Sequence, residues 1–202
     1  MRIYREFIKE INSGKIDKIY LFYGRENYLL DKALKEIKAR VVTCFEEINY
    51  IVFEGKNIDL SIIENACETL PFGSEKKLVV IRDFQELKSK RKKSEDEGKG
   101  DSISLGKTDY ISFIDNLSDD VCLLFINNGQ IDKRKKLFKE IKKSGSIFEF
   151  NKINRRDLSQ WIKNFFVKAG KEITPREIEY FIQSTGYIDK NNDMNMYYVG
   201  NE

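Results

Sequence analysis

An α/β fold, with a mainly parallel sheet covered by helices on both faces and a small helical unit after it, is what this sequence predicts. Three observations carry the prediction. Strand-like and helix-like segments alternate between about residues 19 and 150. Several of the strand segments, Ile19 to Tyr23, Leu78 to Ile81 and Val121 to Ile126, are uninterrupted apolar runs, as expected of strands buried on both faces. Beyond about residue 152 only helical spacing remains.

Taken in order, Tyr4 to Ile11 places Phe7, Ile8 and Ile11 at helical spacing and stops at Ser13-Gly14. The first strand ends at Gly24, and Tyr28, Leu29, Ala33, Leu34, Ile37 and Val41 then form one helix face. Tyr50 to Phe53 reads as a second strand. Ile63, Ala66, Cys67 and Leu70 follow at i, i+3, i+4 and i+7, predicting a helix that leads to Leu70 and then the third strand, Leu78 to Ile81. Residues 88–107 open with Lys88 to Lys93, turn acidic at Glu95 to Glu97 and hold almost no apolar side chain, so a solvated surface loop is expected. Tyr110, Ile111, Ile114 and Leu117 make the next helix face, before the strand at Val121. Asp132 is expected to cap a helix that turns Leu137, Phe138 and Ile141 inward and surrounds them with lysines, ending at Gly145. Ile147 to Phe150 supplies a fifth strand.

In the helical part, Leu158, Trp161, Ile162, Phe165, Phe166 and Ala169 form a stripe stopped by Gly170. Thr174-Pro175-Arg176-Glu177 is a capping box with proline at the first helical position. Asp189 to Glu202 is polar and is expected to end without a further apolar helix. The division is therefore residues 1–152 and 153–202, the second unit looking incomplete.

Composition removes much chemistry. No histidine is present, which excludes His-based triads, imidazole bases and most zinc or iron sites. Lys+Arg 36 against Asp+Glu 33 gives +3, too balanced to mark a nucleic-acid binder. Cys44, Cys67 and Cys122 are odd in number and far apart, and read as reduced core residues. The amino terminus has no apolar signal core, and no stretch approaches the ~20 apolar residues of a membrane span. A cytoplasmic protein with no membrane partner is the expectation.

An α/β unit followed by a helical one directs attention to the phosphate loop G-x-x-x-x-G-K-[ST] of nucleotide-switched ATPases, whose amides, lysine and hydroxyl hold phosphate and magnesium. After the first strand the chain reads Gly24-Arg25-Glu26-Asn27-Tyr28-Leu29, without the second glycine or the lysine–hydroxyl pair, and Glu26 puts a carboxylate where phosphate should sit. After Phe125-Ile126, where an acidic pair should hold magnesium, stand Asn127-Asn128. Neither a cofactor site nor a metal site is expected. The other conspicuous stretch is the elbow Thr69-Leu70-Pro71-Phe72-Gly73-Ser74 between helix and strand. Local pattern alone favours Phe72 as a plug in the core edge over an exposed peg, since large apolar side chains mostly pack inward.

Tyr23-Gly24-x-Glu26-x-Tyr28-Leu29, Thr69-Leu70-Pro71-Phe72 leading into Leu78-Val79-Val80, Asp132-Lys133-Arg134-Lys135-Lys136-Leu137, and Asp157-Leu158 with Trp161-Ile162 then Gly170-Lys171 occur in that order. Thr185-Gly186-Tyr187 and the terminal Asn201-Glu202 continue the series. Together they resemble the delta subunit of bacterial DNA polymerase III, the clamp-loader subunit that opens the sliding clamp. The resemblance implies an AAA+-like fold with a degenerate nucleotide site, ATP being bound by sister subunits. It implies an amino-terminal fragment whose helical collar domain is absent, and a component of the DNA polymerase III holoenzyme (a nucleotidyltransferase complex) with no catalysis of its own. It implies as partners the sliding clamp (beta subunit) and, in the full-length protein, the delta prime and tau/gamma subunits, with DNA contact in the assembly left open. It also implies that the elbow is the clamp-binding element, with Leu70 and Phe72 as its apolar contacts and Thr69 and Pro71 shaping the turn. That shifts Phe72 to a peg and leaves Leu70 between peg and core. Many relatives carry a second aromatic directly after the Pro-Phe pair, where Gly73 stands here. The competing readings are a nucleotide-dependent NTPase or kinase with a divergent phosphate loop, and a DNA-binding module working through Lys88 to Lys93 or the lysines around Leu137.

Overall fold

The computed structural model describes residues 1–55, 58–89, 109–189 and 194–201. Its elements are α1 (Arg2–Asn12), β1 (Ile19–Gly24), α2 (Asn27–Val41), α3 (Glu46–Asn49), β2 (Tyr50–Glu54), α4 (Leu60–Glu68), β3 (Lys77–Arg82), α5 (Tyr110–Asp115), β4 (Val121–Asn128), α6 (Lys136–Ser144), β5 (Ser146–Glu149), α7 (Arg155–Lys168), α8 (Pro175–Thr185) and α9 (Met196–Asn201). All five strands pair in parallel, in the order β2-β3-β4-β1-β5. The central strands β3, β4 and β1 are the apolar runs, and nearly every residue in them is buried. Edge strand β2 alternates and leaves Val52 exposed.

Because successive side chains in a strand point to opposite faces, residue parity divides the core in two. Tyr20, Phe22, Leu78, Val80, Leu124 and Ile126 face α1, α2 and the helices beyond residue 154. Ile19, Leu21, Tyr23, Val79, Ile81, Leu123 and Phe125 face α4, α5 and α6. On the first face Leu158, Ile162, Ile178, Ile182, Tyr187, Met196 and Val199 join the same apolar cluster as the sheet. The predicted capping box is present: Glu177 N donates to Thr174 Oγ1 at 3.3 Å and Thr174 N to Glu177 Oε2 at 2.7 Å.

Four expectations are corrected. Asp132 does not cap α6, which begins at Lys136 behind Lys135; instead Asp132 Oδ1 accepts from the backbone N–H and side chain of Arg134 within the preceding turn. The carboxy-terminal stretch does contain a helix, α9, whose Met196 and Val199 are buried against the first-face core. Helix α4 ends at Glu68, so Leu70 leaves the helical stripe, because the residue before proline is driven to extended backbone. Cys44 is half-buried rather than core, whereas Cys67 and Cys122 are buried and desolvation pushes both thiols up to about 12. All three are free. Most of the charged segment 88–107 lies outside the described residues; Lys88 lies inside and pairs with Asp83 at 2.8 Å. No helix among the described residues is long and apolar enough to cross a membrane.

Candidate functional site

Two places on this scaffold are candidates for a functional site, and the first is the β1–α2 turn. A helix N-terminus behind a parallel strand offers free N–H groups and the positive end of the helix dipole, which is why phosphate binds there in nucleotide-dependent folds. Here Gly24, at φ +142, lets the turn pass against the residue that follows β5, where a Cβ would lie 2.0 Å from the carbonyl oxygen of Phe150. Glu26 then takes the N-cap position. Its carboxylate is fully buried and accepts from Tyr28 N (3.3 Å), Met196 N (3.0 Å) and the Tyr187 hydroxyl (2.6 Å). Tyr187 Oη in turn accepts from Ile153 N at 3.0 Å. The chain thus fills its own anion position with a carboxylate and uses it to tie α9 and the segment after α8 to the start of α2. Burial raises the proton affinity of Glu26 above the ordinary carboxylate value, and the hydrogen bonds from Tyr187, Met196 and Tyr28 offset only part of that rise.

Across the sheet end, Asn127 donates through Nδ2 to Phe84 O at 3.0 Å, and Asn128 donates through its backbone N–H and Nδ2 to the Asp83 carboxylate at 3.2 and 3.3 Å. These amides stitch β4 to the end of β3. Among the described residues no group of three or more acidic or cysteine side chains could hold a metal ion.

The second place is the α4–β3 elbow. Thr69 caps its helix backwards, donating from Oγ1 to Asn65 O at 3.0 Å, and Pro71 is half-buried. Leu70 is 71% exposed and Phe72 is 56% exposed. Leu70 is therefore not core and Phe72 is not a plug. The turn beneath them is held by Asn49, the last residue of α3, whose side chain is fully buried. Asn49 Nδ2 donates to Cys44 O (2.8 Å) and Phe72 O (2.7 Å), and Phe72 N donates to Asn49 Oδ1 (2.8 Å). Ser74 Oγ accepts from Thr43 N and Cys44 N, both at 3.3 Å. Two exposed apolar side chains thus stand on a backbone held by the buried Asn49 side chain and by Ser74, so covering them would need little further ordering.

The predicted residues Thr69, Leu70, Pro71 and Phe72 are contiguous and share this elbow. Sequence reasoning missed the parts that hold it from outside, Asn49, the Thr43–Cys44 backbone and the neighbouring Phe45, because no periodicity links residues 43–49 to 72–74. Of the lysines around Leu137, Lys133, Lys136, Lys139, Lys142 and Lys143 are exposed and Lys135 is half-buried, with Lys133, Arg134 and Lys143 in ion pairs with Glu149, Asp132 and Glu140.

The sequence profile described as DNA polymerase III, delta subunit, matches residues 20–151, more than half of the chain and including both places. The chain is 26% identical over 176 residues to the DNA polymerase III subunit delta of Bacillus subtilis, covering 86% of this chain and 49% of that protein. It is 25% identical over 178 residues to a protein of Aquifex aeolicus named as a probable DNA polymerase III subunit delta, covering 85% and 46%. This chain therefore spans about half the length of these relatives. In fold it is similar to the Bacillus subtilis DNA clamp loader delta protein (TM-score 0.68, 23% identity, 92% of this chain and 53% of that one). It is similar in fold also to domain III of the Thermotoga maritima replication initiation protein DnaA (TM-score 0.51, 10% identity, 98% and 78%). These likenesses agree with the five-stranded parallel sheet in giving the α/β, AAA+-like fold expected. With the family profile running from the first strand to the end of the fifth, the chain belongs to the delta-subunit family of DNA polymerase III.

Proposed function

We propose that this chain is the clamp-contacting part of a clamp-loader delta subunit. It docks Leu70 and Phe72 of the elbow in an apolar pocket of the sliding clamp, the beta subunit. Contacts around the elbow that suit an opened clamp better than a closed one shift the clamp toward opening by the difference in affinity, and this requires no nucleotide chemistry in the chain itself. The observation that carries the reading is the pair of exposed apolar side chains, 71% and 56% open to water, on an elbow braced by the fully buried Asn49. In this reading the protein works in the cytoplasm within the DNA polymerase III assembly beside delta prime and tau/gamma subunits. Residues 1–152 form the clamp-contacting unit and residues 153–202 part of a helical second one.

A titration of purified clamp with the chain tests this. Leu70→Ala, which removes an exposed side chain outside any helix, is expected to weaken binding about tenfold, since burying a leucine contributes roughly 1.5 to 3 kcal/mol. Its melting temperature should stay at the parent value. Parent-like affinity in Leu70→Ala would remove Leu70 from the contact. The NTPase or kinase reading is disfavoured by the Glu26 carboxylate in the anion position. Calorimetry with magnesium and ATP should give no binding heat, and saturable heat would restore that reading.

A further inference from the structure

Phe45 is an exposed aromatic that stands beside the elbow but is not part of residues 69–74. Its ring is 52% exposed, and its backbone lies in the left-handed region at φ 47, ψ 58, where a side chain with a Cβ is disfavoured. The conformation is held from several sides. The Phe45 carbonyl accepts from Ile48 N and Asn49 N, both at 3.0 Å, and the preceding Cys44 carbonyl accepts from Asn49 Nδ2. The left-handed backbone thus sets a half-exposed apolar ring at the surface, and such strain concentrates at binding sites.

The ring sits edge-on to Phe72, with centroids 4.8 Å apart and planes at 67°. It also occupies the room left by glycine at position 73: a Cβ there would lie 3.1 Å from Phe45 Cδ2 and Cε2 and 2.9 Å from Cys44 Sγ. Gly73 is itself left-handed at φ +66. The bare backbone at 73 and the raised ring of Phe45 are therefore complementary. The same side chain, Asn49, bonds the backbone on both sides of the pair, at Cys44 and at Phe72, so the two rings are presented as one rigid unit.

Given the clamp-docking reading, on which this assignment rests, we propose that Phe45 is the second aromatic of the docking element, supplied by the loop before α3, and that it enters the apolar surface of the sliding clamp together with Phe72 and Leu70. The patch is continuous with the elbow, both rings are about half-open to water, and their edge-to-face contact sets the shape that the clamp must match.

The test is a clamp titration with the whole chain and three variants, each followed by circular dichroism melting and each titrated below every melting midpoint. Phe45→Asn removes the ring with a residue that tolerates left-handed backbone. It should melt at or above the parent temperature and bind clamp at least fivefold more weakly. Phe45→Tyr, which keeps the ring, should bind within about twofold of the parent. Phe72→Ala serves as the reference for the elbow. If Phe72→Ala weakens binding while Phe45→Asn binds as the parent does, Phe45 lies outside the contact and the assignment is overturned while the docking reading stands. If Phe45→Tyr is as weak as Phe45→Asn, an aromatic ring at 45 is not what the clamp reads, and the assignment is again overturned. If neither the parent nor any variant binds clamp, the docking reading itself fails.

Discussion

Glu26→Ala should lower the free energy of unfolding by about 2 to 4 kcal/mol, because it leaves three donors without their acceptor at a buried position. The orphaned groups are the Tyr187 hydroxyl and the backbone N–H groups of Met196 and Tyr28. Each such group costs about 1 to 3 kcal/mol, and release of a desolvated carboxylate returns part of the sum. For a chain of this size the melting midpoint should fall by roughly 5 to 15 °C. Hydrogen exchange should show the loss first at α9 and after α8, since those segments reach the sheet unit partly through this carboxylate. Glu26→Gln keeps the shape and one acceptor oxygen and should cost no more than about 1.5 kcal/mol.

The pH dependence has a definite sign. Burial raises the folded-state pKa of Glu26 above its ordinary value of 4.5, so between those two values the folded chain holds a proton that the unfolded chain has lost. Its contribution to stability is full below 4.5 and is lost as pH rises through the folded value. Urea unfolding across a pH series should show the parent losing stability in that window relative to Glu26→Gln, which has no proton there to lose. A constant gap between the two would contradict the buried ionisable carboxylate.

How much of this was legible in the sequence depended on how local the cause was. The central strands announced themselves because burial on both faces demands continuous apolar runs, as in Leu78 to Ile81 and Val121 to Ile126. The Thr174–Glu177 cap was readable because all its partners lie within four residues. The absence of a phosphate loop was also readable, and Glu26 stands where the sequence put it, although its partners Tyr187 and Met196 are 161 and 170 positions away and no pattern announces them. Helix α9 was missed for the same reason. It is a six-residue turn in a polar stretch, and Met196 and Val199 are buried only because the sheet face and α2 receive them. Leu70 was ambiguous because it continues a helical spacing of apolar residues. Pro71 decided the matter by ending helical backbone before it. Asn49 carried no signal at all: one polar residue ahead of a strand means nothing until Phe72 and Cys44 arrive on either side of it.

The clamp-docking account stands most directly on Phe72. Its ring is more than half in water and touches Phe45, so alanine there forfeits an edge contact worth about 0.5 to 1.5 kcal/mol and should leave the melting midpoint within about 5 °C of the parent. On the clamp the same ring would be buried, contributing roughly 1.5 to 3 kcal/mol, and it would be central among its neighbours, where truncation costs most. The decisive measurement is the dissociation constant of the purified clamp for the parent chain and for Phe72→Ala. The account predicts a rise of tenfold or more, up to about a hundredfold, with the fold intact; an unchanged dissociation constant for a folded Phe72→Ala would contradict it.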